Sequence, residues 1–137
     1  MTAPYVSISN LNVTFTGGAR PVKAVNGVDL RVNRGEVVAL IGESGSGKSV
    51  TLRSILRLHN ERRTTITGSI TVGEHDVLKL SPAQLADFRG KTAAMIFQEP
   101  LLALDPVYSV GAQIVESIRR HENVTQAEAH KRALELF

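Results

Sequence analysis

Apolar residues in the first third of the chain recur at alternate positions, the spacing of strands that bury one face and wet the other. Val6 and Ile8, then Leu11, Val13 and Phe15, point one way. After a Gly17-Gly18 turn, Val28, Leu30 and Val32 repeat the pattern, which predicts antiparallel pairing. Asn33-Arg34-Gly35 reads as a tight turn. It delivers the chain into Glu36-Val37-Val38-Ala39-Leu40-Ile41, a short aliphatic run without alternation, as a parallel strand buried on both faces should be. The rhythm then lengthens: Val50, Leu52, Ile55, Leu56 and Leu58 give a helical stripe over about residues 48–59. Polar residues 60–65 predict a loop, residues 68–72 a strand, and the apolar run 92–97 a second core strand.

Three further helices are marked by their starts. Ser81 can cap, Pro82 sits at the first helical position where no N–H is needed, and Gln84 completes a capping box. A loop holding Pro100 and Pro106 precedes a helix over about residues 110–121, and a last helix begins at Thr125 with Glu128 three residues on. Ala127, Ala129, Ala133, Leu134, Leu136 and Phe137 carry its apolar pattern onward with no stop signal, so the chain reads as ending inside a structural element.

Between the aliphatic run and the first helix stands Gly42-Glu43-Ser44-Gly45-Ser46-Gly47-Lys48-Ser49, which has the spacing of a Walker A phosphate-binding loop. Glycine at three of its positions permits backbone angles closed to other residues, so successive N–H groups can turn inward around one anion. Lys48 would reach the β and γ phosphates as a point charge, and Ser49 would offer its hydroxyl to a magnesium ion. The helix that follows would aim its positive dipole end at the same phosphates. A merely flexible Gly/Ser turn would need neither the strand before it nor the helix after it.

Composition narrows the remaining classes. With 42% hydrophobic and 21% charged residues among 137, the chain has ordinary globular make-up and enough length for one modest domain. No apolar run is long enough to span a bilayer and the N-terminus lacks a secretory pattern, so a soluble, cytoplasmic chain is expected. Zero cysteines exclude disulfides and thiolate metal sites. His59, His75, His121 and His130 stand far apart without ligand spacing and read as surface residues. The net charge of +3 and the cluster Arg53, Arg57, Arg62, Arg63 raise nucleic acid as a partner, but aromatics are only 4% and none is interleaved with the cluster. A solvated helix face is the reading preferred, with no nucleic acid.

The order of these features, strands carrying an aromatic, then Walker A, then a strand ending in glutamine, resembles the nucleotide-binding domain of ATP-binding-cassette (ABC) transporters. GESGSGKS together with RGKTAAMIFQEPLLALDP is most similar to the ATPase subunits of dipeptide, oligopeptide and nickel importers, and the likeness covers essentially the whole chain. The fold class it implies is α/β, a partial P-loop NTPase core with an N-terminal antiparallel β lobe and the start of a helical subdomain. The corresponding bounds are about residues 1–35, 36–98 and 99–137.

The resemblance assigns roles residue by residue. Phe15 matches the aromatic that stacks on adenine, with a plain core phenylalanine as the alternative, and Tyr5 is a weaker candidate. Gln98 matches the glutamine that touches magnesium or the attacking water, with a strand-end residue of no function as its alternative. The resemblance implies ATP and Mg2+ as cofactors, and catalytic or metal roles for Lys48, Ser49 and Gln98. Implied partners are membrane-spanning transporter subunits, received around residues 99–106, and a second ATP-binding subunit, with no direct contact to the transported solute. Leu101-Leu102-Ala103 is more apolar than is usual at that surface. The implied location is peripheral, on the inner face of the cell membrane.

Four elements needed for hydrolysis are missing from the sequence: a Walker B aspartate, the catalytic glutamate beside it, a switch histidine and an LSGGQ signature. The segment from Ser69 to Asp76 imitates a Walker B but lacks four consecutive apolar residues and precedes Gln98, the wrong order. The expectation is therefore an ATP hydrolase when complete and a hydrolysis-incompetent chain as it stands, with an unfinished sheet. A nucleotide-binding fragment without turnover is the competing reading. A small-molecule kinase is a weaker one, because a strand-rich lobe precedes the phosphate loop.

Overall fold

The computed structural model describes residues 3–99 and 103–136. Two compact units divide the chain, Met1–Ala86 and Asp87–Phe137.

The first unit is built on four antiparallel strands in the order β2-β1-β3-β4: β1 Val6–Phe15, β2 Val22–Val32, β3 Thr64–Val72 and β4 His75–Asp76. β1 is central, with Phe15 opposite Val22 on one side and Thr64 on the other. One face is dry: Ile8, Leu11, Val13, Val25, Ile70 and Val72 are all buried. Ile8 and Leu11 share that face despite an odd spacing because Asn10 is an extra residue in both ladders, with φ at +49°. Side chains satisfy the groups that this bulge frees. Asn10 N–H donates to Asp29 Oδ1 at 2.9 Å, and Asn12 Nδ2 donates to the Asn10 carbonyl at 2.8 Å. Gly68 crosses beside the bulge at φ +100°, where a Cβ would collide with the Asn10 carbonyl and lie 2.7 Å from the Ser9 oxygen.

The turn at Asn33-Arg34-Gly35 forms as the sequence indicates, with Glu36 N–H donating to Asn33 O at 3.2 Å and Gly35 at φ +73°. α1, Lys48–Ile55, lies against β1 and β2. It is shorter than the expected 48–59 because Arg57 turns left-handed at φ +47°. Arg57 N–H then donates to Ser54 O and Leu58 N–H to Arg53 O, each at 3.0 Å, the paired bonds of a Schellman stop. The face of α1 turned inward is Thr51 and Ser54, while Leu52 and Leu58 of the expected apolar stripe are exposed. β3 also begins earlier than expected, at Thr64, so residues 64 and 65 are strand and not loop.

Two expected strands do not form. Residues 36–41 and 94–97 have no ladder partner among the described residues, and Val37, Ile41 and Ile96 stand at least 94% exposed. The physical reason is that an aliphatic run supplies side chains for a strand but not the neighbouring N–H and C=O groups that define one. Residue 93 makes only an isolated bridge to Arg89.

The capped helices begin as their sequence signals require. In α2, Pro82–Lys91, Ser81 N–H donates to Gln84 Oε1 at 2.9 Å and Gln84 N–H to Ser81 Oγ at 3.3 Å. The chain passes from the first unit to the second within α2, which kinks at Arg89 and Gly90 (φ +94°). In the second unit, α3 Val110–His121 and α4 Gln126–Glu135 pack through Val115, Ala129 and Ala133, flanked by Ile114, Ile118 and Val124. Thr125 and Glu128 form the expected capping box of α4. Among the described residues, no helix is long and apolar enough to cross a membrane.

Candidate phosphate-binding site

The chain enters the glycine-rich loop from the exposed run 36–41 and leaves it through α1. Gly45 and Gly47 both take positive φ, +81° and +88°. Gly47 is the residue on which α1 starts, and a Cβ there would lie 2.7 Å from the Ala24 carbonyl oxygen, so β2 presses on this point of the loop. At Gly42 a Cβ would meet Ser46 Oγ at 2.9 Å. Glycine is therefore required at 47 by conformation and by space, whereas at 42 the only close atom is a serine hydroxyl that can rotate away.

Lys48 closes the loop on itself. Its Nζ donates to the carbonyls of Gly42 and Glu43, each at 2.6 Å, and to Ser46 Oγ at 3.1 Å. An ammonium group has three donors, and all three are directed at the loop's own oxygens. The charge is thus stationed inside the ring of backbone that an anion would enter. The end of α1 completes the arrangement: no side chain caps Gly47, and no acidic residue occupies the first turn. The positive end of the helix dipole and its free N–H groups are left for an external anion. Ser49 stands exposed in that first turn, and Glu43, Ser44 and Ser46 are exposed along the loop. This donor set fits a nucleotide's phosphates, and the Ser49 hydroxyl fits the magnesium ion that accompanies them.

Phe15 belongs to the same unit, half-buried at the end of β1. Its ring meets the His59 imidazole edge to face, with centroids 5.5 Å apart. Tyr5, the weaker adenine candidate, carries the Arg34 guanidinium over its ring at 4.4 Å. Gln98 is exposed in a bend of the second unit. Of the segment 99–106 read as a docking surface, Pro100, Leu101 and Leu102 lie outside the described residues. Its later part is tied to α3 by Gln113, whose Oε1 accepts from Asp105 N–H and whose Nε2 donates to Asp105 O, each at 2.9 Å.

Three side chains differ from their expected surface roles. Arg57 is not on a solvated face: only 18% of its side chain is exposed, and its Nη1 donates to Leu80 O at 2.7 Å while Nη2 pairs with Glu61. Glu61 stands at the i,i+4 spacing of a helical ion pair, whereas the Leu80 carbonyl is a backbone atom that no spacing rule marks. His59 is half-buried, with Nε2 3.0 Å from the Val50 carbonyl. His121 is half-buried as well, its Nδ1 enclosed and its ring against Gly90. Among the described residues no cluster of His, Cys, Asp or Glu could hold a metal by itself.

Known proteins are similar to this chain in sequence and in fold. A dimeric ATP-binding cassette solved in a post-hydrolysis state with ADP and Pi superposes with a TM-score of 0.75 at 26% identity, covering 95% of this chain and 54% of that one. A putative peptide import ATP-binding protein of Brucella abortus is 42% identical over 136 residues, covering 99% of this chain. A probable D,D-dipeptide transport ATP-binding protein of Escherichia coli is 43% identical over 138 residues, and an oligopeptide transport ATP-binding protein of Bacillus subtilis 40% over 133. The chain spans about two fifths of the length of these curated relatives. Its fold is accordingly α/β, part of the P-loop cassette core with an antiparallel sheet and helices. Residues 25–136 match the ABC transporter family, and the chain belongs to that family.

Proposed function

We propose that the chain is the phosphate-gripping part of an ATPase subunit that powers an importer of peptides or related small solutes by ATP binding and hydrolysis. The observation that carries this reading is the Walker A loop, with Lys48 held on the Gly42 and Glu43 carbonyls beneath an uncapped α1. The names of the relatives favour peptides as the solute. In this reading Gly42, Glu43, Ser44, Gly45, Ser46, Gly47 and Lys48 wrap the phosphates through backbone N–H groups and one ammonium. Ser49 and Gln98 are the chain's ligands for magnesium, which when bound would offset charge on the β and γ phosphates. Phe15 offers a flat face to adenine. The three parts of the cassette fall at about residues 1–35, 36–98 and 99–137.

Its partners are membrane-spanning transporter subunits and a second ATP-binding subunit, and it works at the inner face of the membrane. The 137 residues alone bind nucleotide without turning it over, because positioning and electrostatic stabilisation of the attacking water need groups that this sequence lacks.

Titration with a fluorescent ATP analogue tests the core of the reading. Lys48→Ala should weaken binding by at least about tenfold, the scale of losing charge-assisted contacts to phosphate. Unchanged affinity would sink the phosphate-loop assignment. Phe15→Ala should weaken ATP more than inorganic tripolyphosphate, and equal losses would return Phe15 to a core role.

A further inference from the structure

His59 touches two parts of the first unit at once. Its ring packs edge to face with Phe15, the planes 76° apart. Its Nε2 lies 3.0 Å from the Val50 carbonyl and 3.2 Å from Ser54 Oγ, and that hydroxyl itself donates to Val50 O at 2.8 Å. A carbonyl can only accept, so Nε2 carries the proton and the imidazole donates into α1. Val50 is in the first turn of that helix, two residues from Lys48.

We propose that His59 is a positioning residue that fixes the Phe15 ring relative to the phosphate-binding helix, so that base and triphosphate are gripped at a set separation. The proposal rests on the reading of Phe15 as the adenine platform. An edge-to-face contact occupies at most one face of Phe15, and a purine needs only the other. A platform already oriented loses less side-chain entropy on binding than one that rotates freely. Packing alone does not hold the imidazole. It borders an open cavity of about 170 Å³ whose walls include Thr64, Ile66 and Leu78, so its orientation comes from the Val50 bond and the Phe15 contact.

The measurement is the ratio of ATP to tripolyphosphate affinity in the 137-residue chain, for His59→Ala and His59→Phe. His59→Phe keeps a ring but loses the bond to Val50. Both variants should weaken ATP, His59→Ala by about threefold to tenfold and His59→Phe by less, while tripolyphosphate changes by less than about twofold. A brace that merely supports α1 would lower both ligands together and leave the ratio unmoved. An unchanged ratio in either variant overturns the proposal, and if His59→Ala does not fold, His59→Phe decides alone. Phe15→Ala run alongside separates the two failures. Equal losses there remove the adenine platform itself, whereas a base-selective loss in Phe15→Ala with none in the His59 variants removes only the positioning role.

Discussion

β1 and the run 36–41 both carry aliphatic residues that demand burial, lie in the same compact unit and stand close in sequence, yet they end in opposite states. β1 sits between β2 and β3, and its Ile8, Leu11 and Val13 are at most 1% exposed. Val37 and Ile41 are 94% exposed, and neither edge of their segment is paired among the described residues. The difference lies in the neighbours. Every backbone donor and acceptor along a strand needs a ladder partner, and side chains on a strand are buried only when adjacent strands complete a surface to pack on. Apolar sequence creates a demand for burial, and topology meets it or leaves it open. An open aliphatic edge is also a template for another chain.

Truncating a residue on the completed side of this contrast should have the largest effect. Leu11 is fully buried at the centre of the sheet face. Leu11→Ala should lower unfolding stability by about 2–5 kcal/mol, read as a shift in the urea midpoint. A loss below about 1 kcal/mol would mean that the lobe is loosely packed, and the contrast with 36–41 would collapse.

The next effect comes from the backbone that lets β1 and β3 run side by side. Gly68→Ala places a methyl group against the Asn10 carbonyl at a φ of +100°. Strain of that kind costs about 1–3 kcal/mol, more if β3 must move away. A neutral result would show that the Asn10 bulge shifts to make room, and the amide signals of Ser9 to Leu11 would then move in NMR spectra while stability held.

Ile41→Ala belongs to the incomplete side and should change stability by less than about 0.5 kcal/mol, because a 94% exposed side chain has little burial to lose. The same substitution should raise the concentration at which the chain self-associates in sedimentation. If Ile41→Ala costs as much as Leu11→Ala, residues 36–41 are packed in solution and the comparison is broken.

How much of this was legible in the sequence follows the same division. The Walker A spacing named the residues that gather at the start of α1, since the motif is contiguous and Gly45 and Gly47 answer to local angles. The sheet face was legible through alternation, including the change of phase between Ile8 and Leu11, although not its cause in the Asn10 bulge. What escaped was whatever depends on distant atoms. Arg57 bonds a carbonyl at Leu80, His59 meets Phe15, and the runs 36–41 and 94–97 need neighbours that no periodicity supplies. His121 against Gly90 is of the same kind.

Capping boxes lie at the legible extreme, both partners being three residues apart, and the described residues carry two that differ in charge. At α2 the returning side chain is neutral Gln84; at α4 it is Glu128, whose carboxylate accepts from Thr125 N–H at 2.9 Å and from Thr125 Oγ1 at 2.7 Å. These bonds, the side-chain one foremost, with Arg132 adding a smaller attraction, hold Glu128 below its ordinary value of 4.5. A carboxyl that is more acidic when folded stabilises the fold above its unfolded pKa and loses that contribution as pH falls through the folded one. Acidification below about 4.5 should therefore speed amide exchange at Thr125 and the first turn of α4, while Ser81 and the start of α2 keep their protection after correction for intrinsic rates. Glu128→Gln should remove the pH dependence and retain the cap. Equal loosening at both helix starts would show that acid acts through the whole chain and not through this one local pair.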